Sequence, residues 1–266
     1  MNVFKFFALP FLVLFGHMAI ADVSTPPAWP SVQLSVEALA SRYPAKTVLI
    51  RHDPVYQTEK NYRTIPLQPI IKQLAKHYSG DLSQGIVVFT SKDGYQATMP
   101  YMDASATPGY LAFQDLGVKK GHWQPFQFGE HKTTPAPFYL VWPNSTDKEK
   151  WRYAWPFQLT KIALKPADQL FTNAVPQSAN ADVQAGFKLF SRYCIRCHAI
   201  NGSGGSVGPD LNYPVNPAAI YSESVLKHRI MNARHFNPKT KMPVFENILS
   251  DSQVEKIQQY LKSFTH

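Results

Sequence analysis

Residues 183–198, VQAGFKLFSRYCIRCH, decide how the rest of the chain is read. The first eleven form a predicted helix that delivers Cys194-Ile195-Arg196-Cys197-His198 at its end. Standing at i, i+3 and i+4, Cys194, Cys197 and His198 leave the last turn of such a helix on one face. The chain has 266 residues and 2 cysteines, both in this segment, so no disulfide framework staples it and no thiol remains for a second cofactor elsewhere.

Two thiols and an imidazole so arranged fit a haem. The thiols add to the two vinyl groups as thioethers, and the adjoining histidine ligates the iron from the proximal side. Three alternatives stand beside this reading. A thioredoxin-like dithiol also uses C-x-x-C, but sets it at the start of a helix after a strand, and here the pair follows a helical pattern. A zinc site needs four ligands, so distant histidines would have to complete it. The third is a chance match on an ordinary surface helix.

Downstream, Gly204-Gly205-Ser206-Val207-Gly208-Pro209-Asp210-Leu211 reads as a loop. Its Pro209 carbonyl is placed to accept a hydrogen bond from the non-ligating nitrogen of His198, which would orient the ring and strengthen the ligand. Lys241-Met242-Pro243 offers a thioether as sixth ligand. A thioether favours ferrous iron and raises the potential relative to a second imidazole. Pro243 holds Met242 extended, as a loop ligand requires. Core packing is the ordinary role of a methionine. Met231 is the rival ligand, but it falls inside a predicted helix over 222–231 and no proline follows it. A third helix is expected over 252–264, capped by Ser250 or Asp251.

Gly186-x-x-x-Phe190-x-x-x-Cys194-x-x-Cys197-His198, then Gly208-Pro209-x-Leu211, Met242-Pro243 and a closing amphipathic segment over 253–261 together resemble a class I cytochrome c domain, covering about residues 180–266. The resemblance implies first and last helices that cross at a small residue, with Gly186 and Phe190 against Tyr260 and Leu261. It also implies one covalent haem c, low-spin and His/Met-ligated, that carries one electron at a time. The cofactor-binding set is then Cys194, Cys197, His198, Pro209 and Met242, with His198 and Met242 on the iron.

Residues 22–172 have a different texture. Short β-branched and aromatic runs at 46–51, 85–90, 110–113 and 138–142 are separated by turn signals such as Asp53-Pro54, Lys92-Asp93-Gly94 and Pro135-Ala136-Pro137. One helix interrupts them, opened by Pro66-Leu67, with Leu67, Ile70, Ile71 and Leu74 at i, i+3, i+4 and i+7. An α+β, mainly β domain is expected. Its segments 53–56, 93–95, 137–143 and 155–159 are similar to the molybdopterin-binding fold of the sulfite oxidase-like group. In that group a cysteine thiolate commonly coordinates molybdenum. This chain has no cysteine outside the C-x-x-C pair, which argues against a molybdenum cofactor. Taken singly, these aromatics read as β core. Residues 165–182, richer in Pro, Ala, Asn and Ser, read as a linker.

The formal charge is +9, yet only 17% of residues are charged, so the chain lacks the dense Lys/Arg blocks of a nucleic-acid tail and no nucleic-acid partner is expected. Residues 1–21 carry Lys5, an apolar stretch over 6–15 and Ala19-Ile20-Ala21, which reads as a signal peptide cleaved before Asp22. Pro10, Gly16 and His17 interrupt a stretch already short of the ~20 residues that span a bilayer. The mature chain is expected to be exported to the periplasm without stable membrane insertion. Lys227-His228-Arg229, Arg234-His235, Lys239 and Lys241 form either a docking face around a haem edge or a merely solvated face.

The sequence therefore predicts a multi-domain chain: a signal peptide over 1–21, an α+β domain over 22–172, and an all-α cytochrome c domain over 173–266 with the linker running to about 182. The expected function is single-electron transfer between redox proteins, such as a dehydrogenase or an oxidase, with the N-terminal domain as docking module and no catalysis of its own. The alternative is an oxidoreductase whose N-terminal domain oxidises a small molecule and passes the electrons to the haem.

Overall fold

The computed structural model describes residues 29–145 and 153–265. The expected signal peptide and its cleavage site lie outside the described residues. Along the N-terminal region run β1 (Ser31–Gln33), α1 (Val36–Arg42), β2 (Lys46–Ile50), β3 (Lys60–Pro66), α2 (Leu67–Lys76), β4 (Gly85–Ser91) and β5 (Gln96–Pro100). They continue as α3 (Tyr101–Ala106), β6 (Tyr110–Asp115), β7 (Phe126–Phe128), β8 (His131–Thr133), β9 (Tyr139–Val141) and β10 (Leu159–Pro166). Antiparallel pairing gives one sheet in the order β1-β10-β4-β5, a second in the order β2-β3-β6-β9, and a separate β7-β8 hairpin. The expected mainly β region is thus present. Leu67, Ile70, Ile71 and Leu74 of α2 are all buried, as their spacing predicts.

The second sheet closes over a polar network. β3 alternates buried and exposed positions and turns Lys60, Tyr62 and Thr64 inward. Lys60 Nζ lies 2.5 Å from Asp115 Oδ2 and 2.9 Å from Gln124 Oε1. Asp53, 1% exposed, accepts from the Val55 and Tyr56 amides and from the hydroxyls of Tyr62 and Tyr139. Buried charges persist only where they are paired and hydrogen-bonded, and these are.

The C-terminal region is helical: α4 (Ala167–Leu170), α5 (Ala181–Tyr193), α6 (Pro217–Ile220), α7 (Glu223–Met231) and α8 (Asp251–Lys262). Asn180 caps α5 by accepting from the amides of Asp182 and Val183, and Ser250 and Gln253 form a reciprocal capping box on α8. The expected crossing of α5 and α8 is there. A Cβ on Gly186 would sit 2.1 Å from the Lys256 carbonyl oxygen, so only glycine lets the two backbones approach. Tyr260 then packs on Phe187 and Phe190 with centroids 5.8 and 5.0 Å apart. No helix among the described residues is long and apolar enough to cross a membrane.

The two regions meet on one sheet. The uninterrupted apolar run of β4 has two buried faces: Val87 and Phe89 join the N-terminal core, whereas Ile86 and Val88 pack among the C-terminal helices. β10 divides likewise, with Ile162 and Leu164 on one side and Ala163 on the other. The expected linker is ordered in its first half: Lys165 and Pro166 end β10, α4 follows, and Phe171 and Ala174 are buried in the C-terminal core. Composition suggested a loop because Pro and Asn break helices. Packing of the few apolar residues overrides that here. The Tyr260 hydroxyl fastens this segment by donating to the Ala174 carbonyl at 2.7 Å.

Candidate functional site

Cys194 is the C-cap of α5, and both its amide and that of Ile195 bond to the Phe190 carbonyl. A new turn then begins, in which the Cys197 and His198 amides donate to the Cys194 carbonyl at 3.0 and 2.9 Å. The motif therefore lies just past the helix and not on its last turn as the spacing predicted. The outcome for the side chains is the same. Cys194, Cys197 and His198 line one cleft of about 340 Å³, together with Gly208, Pro209 and Met242.

His198 Nδ1 is 2.8 Å from the Pro209 carbonyl oxygen. A carbonyl can only accept, so Nδ1 carries the proton and the Nε2 lone pair is left for a ligand bond. Burial pushes the ring below the ordinary histidine range, with the Pro209 bond opposing, which keeps the imidazole neutral and able to ligate. A Cβ on Gly208 would stand 2.5 Å from the ring, so glycine is what lets this loop lie against His198. The loop is held in place by the Gly208 amide on the Cys197 carbonyl and by Asp210, which accepts from the Asn201, Gly202 and Asn212 amides.

Both cysteines are free. Burial pushes the Cys194 thiol up to about 12, with Cys197 adding to the effect. A redox-active dithiol wants the opposite, a thiolate stabilised at a helix start, and this pair sits at a helix end. Among the described residues no group of three His, Cys, Asp or Glu side chains is placed to hold a metal ion, so the zinc alternative has no further ligands there.

Met242 lines the cleft, with its amide bonded to Thr240 Oγ1 at 3.1 Å. Met231 does not line it. It packs against the C-terminal core, and its carbonyl accepts from the Phe245 amide. The basic groups divide. Lys227 is bound to Asp251 and Glu255, and Arg229 stacks between Tyr221 and Phe236, whereas Arg234, His235 and Lys239 are exposed and Lys241 lines the cleft.

Sequence reasoning missed the far wall. Ile86, Thr98, Met99, Pro100 and Asp103 of the N-terminal region complete the same cleft, and Asp103 binds Arg192 of α5 at 3.1 Å. Nothing local marks these residues, because only the β4-β5 pairing and its packing against α5 bring them there.

The cytochrome c family profile matches residues 183–265. A cytochrome c6 of Gracilaria tenuistipitata var. liui is 30% identical over 92 residues, a segment covering 35% of this chain and 82% of that protein. Through residues 183–265 this chain belongs to the cytochrome c family. A cytochrome c of Sesamum indicum is 28% identical over 107 residues, covering 34% of this chain and 96% of the relative. A quinohemoprotein alcohol dehydrogenase of Pseudomonas putida is 32% identical over 106 residues, but the chain spans only 14% of that enzyme's length. Neither the profile nor these relatives support the resemblance of the N-terminal region to the sulfite oxidase-like fold.

The cytochrome c domain implies covalently bound haem c and electron transfer. The residues present fit that group: a largely apolar cleft, two free thiols on its wall, and a neutral imidazole whose outer nitrogen is already spent on Pro209.

Proposed function

We propose that this protein is a periplasmic monohaem cytochrome c that passes single electrons between redox proteins, exported by a signal peptide over residues 1–21. The observation that carries this reading is the convergence of Cys194, Cys197, His198 and Met242 on one apolar cleft. Cys194 and Cys197 would hold the haem as thioethers and His198 and Met242 would bind its iron, while the Pro209 carbonyl fixes the His198 ring. The haem supplies a one-electron couple. The Pro209 carbonyl on the His198 ring and the Thr240 hydroxyl on the Met242 amide hold both ligand residues in place, so little would reorganise when the charge changes.

The redox partner in this account is a protein such as a dehydrogenase or an oxidase. The N-terminal α+β domain over 22–172 serves as docking module, holds no molybdenum cofactor and performs no catalysis of its own. The cytochrome c domain is taken from 173. Exposed Arg234, His235, Lys239 and Lys241 supply the positive charge that steers an acidic partner. The test is haem staining after denaturing electrophoresis of protein from the periplasmic fraction, combined with metal analysis. Retained haem colour, one iron per chain and no molybdenum are expected. Haem that extracts into acidified organic solvent, or stoichiometric molybdenum, would overturn the reading.

A second reading, in which a small molecule delivers electrons directly, draws on one observation: an adjoining, larger cleft opens beside Cys197.

A further inference from the structure

The second cleft, about 920 Å³, lies between the β sheets and the turn that carries the cysteines. That size is ordinary for a small-molecule site. Its N-terminal wall is aromatic, formed by Tyr95, Phe128, Trp155 and Phe157. Tyr95 is 62% and Phe128 61% exposed, so the fold leaves these rings facing the cleft rather than burying them. The wall is braced from behind. Phe128 meets Phe157 edge-on at 5.2 Å, and Phe126 packs on both.

The backbone of this wall is held in an unusual state. Gln158 also lines the cleft and has φ of 56°, the left-handed region that non-glycine residues rarely occupy. Its side-chain amide donates to Thr133 Oγ1 at 2.8 Å and to the Thr134 carbonyl at 3.0 Å, which keeps it there. Such conformations gather at ligand sites, where the surrounding structure over-determines them.

The cleft also carries a strong cationic donor. The Arg196 guanidinium stands on the opposite wall beside Cys197. It hydrogen-bonds to Cys197, and a guanidinium has five N–H donors, so others remain for a ligand; Asp103, whose field reaches it, is bound to Arg192. The acidic residue of the lining, Asp93, is exposed, and one of its oxygens accepts from the Tyr95 amide at 3.0 Å. An aromatic wall that faces a guanidinium with N–H donors to spare calls for a flat ring with acceptor oxygens.

We propose that this cleft is a binding site for a small planar aromatic molecule bearing an anionic oxygen group, with its ring against Phe128 and Phe157 and its anion toward Arg196. Thr98, Ile195, Arg196, Cys197 and Val207 line both clefts, so the bound molecule rests against the haem-attachment turn. The inference does not depend on which protein partner the haem serves.

The test is calorimetric titration of the intact holoprotein with 2-naphthoate and with neutral 2-naphthamide, which has nearly the same shape. Naphthoate should bind with a dissociation constant below millimolar and the amide more weakly. Arg196→Gln should weaken naphthoate about tenfold and leave the amide unchanged, the loss expected of one charge-assisted contact. Phe128→Ala should weaken both probes several-fold. Phe128 lies on an exposed hairpin and outside the haem cleft, so this variant keeps the test independent of haem attachment. Absence of binding by either probe at millimolar concentration, or binding that neither substitution changes, would overturn the proposal.

Discussion

The polar network inside the β region and the groups that line the haem cleft of the cytochrome c domain use their bonding capacity in opposite ways. In the β region Asp53 accepts four hydrogen bonds, and Lys60 is enclosed by Asp115, Gln124 and the Tyr56 ring. In the cytochrome c domain His198 spends one ring nitrogen on Pro209 and keeps the other, both cysteines are free thiols, and Met242 faces the same space. A network that satisfies itself contributes specificity and stability. A set of groups whose bonding capacity is left open toward a common cleft is a site.

Substitutions that break this contrast should differ in kind as well as in size. The largest effect belongs to the open set. Cys194→Ala with Cys197→Ala should abolish haem colour on a denaturing gel entirely, because no other thiol exists to form a thioether. Next is Met242→His, which should lower the midpoint potential by a sizeable part of the roughly 0.8 V range that axial ligands span. Met231→Leu, a core substitution, should leave spectrum and potential nearly unchanged. A Met231 variant that loses the low-spin spectrum would reverse the assignment.

The closed set should respond in stability alone. Lys60→Met strands a fully buried Asp115 and should cost about 3–5 kcal/mol in denaturant unfolding. Adding Asp115→Leu should recover most of that loss, and the haem spectrum should not change in either variant. The smallest effect is a pH dependence. Burial, reinforced by the Asp53 carboxylate, holds the Tyr62 and Tyr139 hydroxyls well above the ordinary phenol value of 10. Folding therefore favours their protonated form. That stability is complete below pH 10 and is lost as pH rises above it, by at most about 1.4 kcal/mol per pH unit for each tyrosine. Tyr139→Phe should make alkaline unfolding, followed by circular dichroism, less steep in pH.

Much of the open site was legible in the sequence because covalent and ligand chemistry fixes residue types at short spacings. Cys194, Cys197, His198, Pro209 and Met242 all fall on the cleft they were expected to share, and the Gly186 contact with α8 follows from the same motif. The β region was legible only as four strands and one helix. The run 85–90 announces a buried strand, but not that its alternate residues enter two different cores. β3 carries no such run: its Lys60 takes an inward position, paired with Asp115, which lies 55 residues away in sequence. The walls supplied by Thr98, Met99 and Asp103 are non-local in the same sense: sheet pairing sets them, and no short pattern records it.

The central claim is that His198 and Met242 would both bind the haem iron, so that it would carry electrons and take no substrate there. Carbon monoxide added to the reduced full-length protein, during a spectroelectrochemical titration, tests it most directly. The account predicts one reversible one-electron wave and a ferrous spectrum that carbon monoxide leaves unchanged. A rapid carbon monoxide adduct in the unmutated protein would show an open coordination position and contradict it.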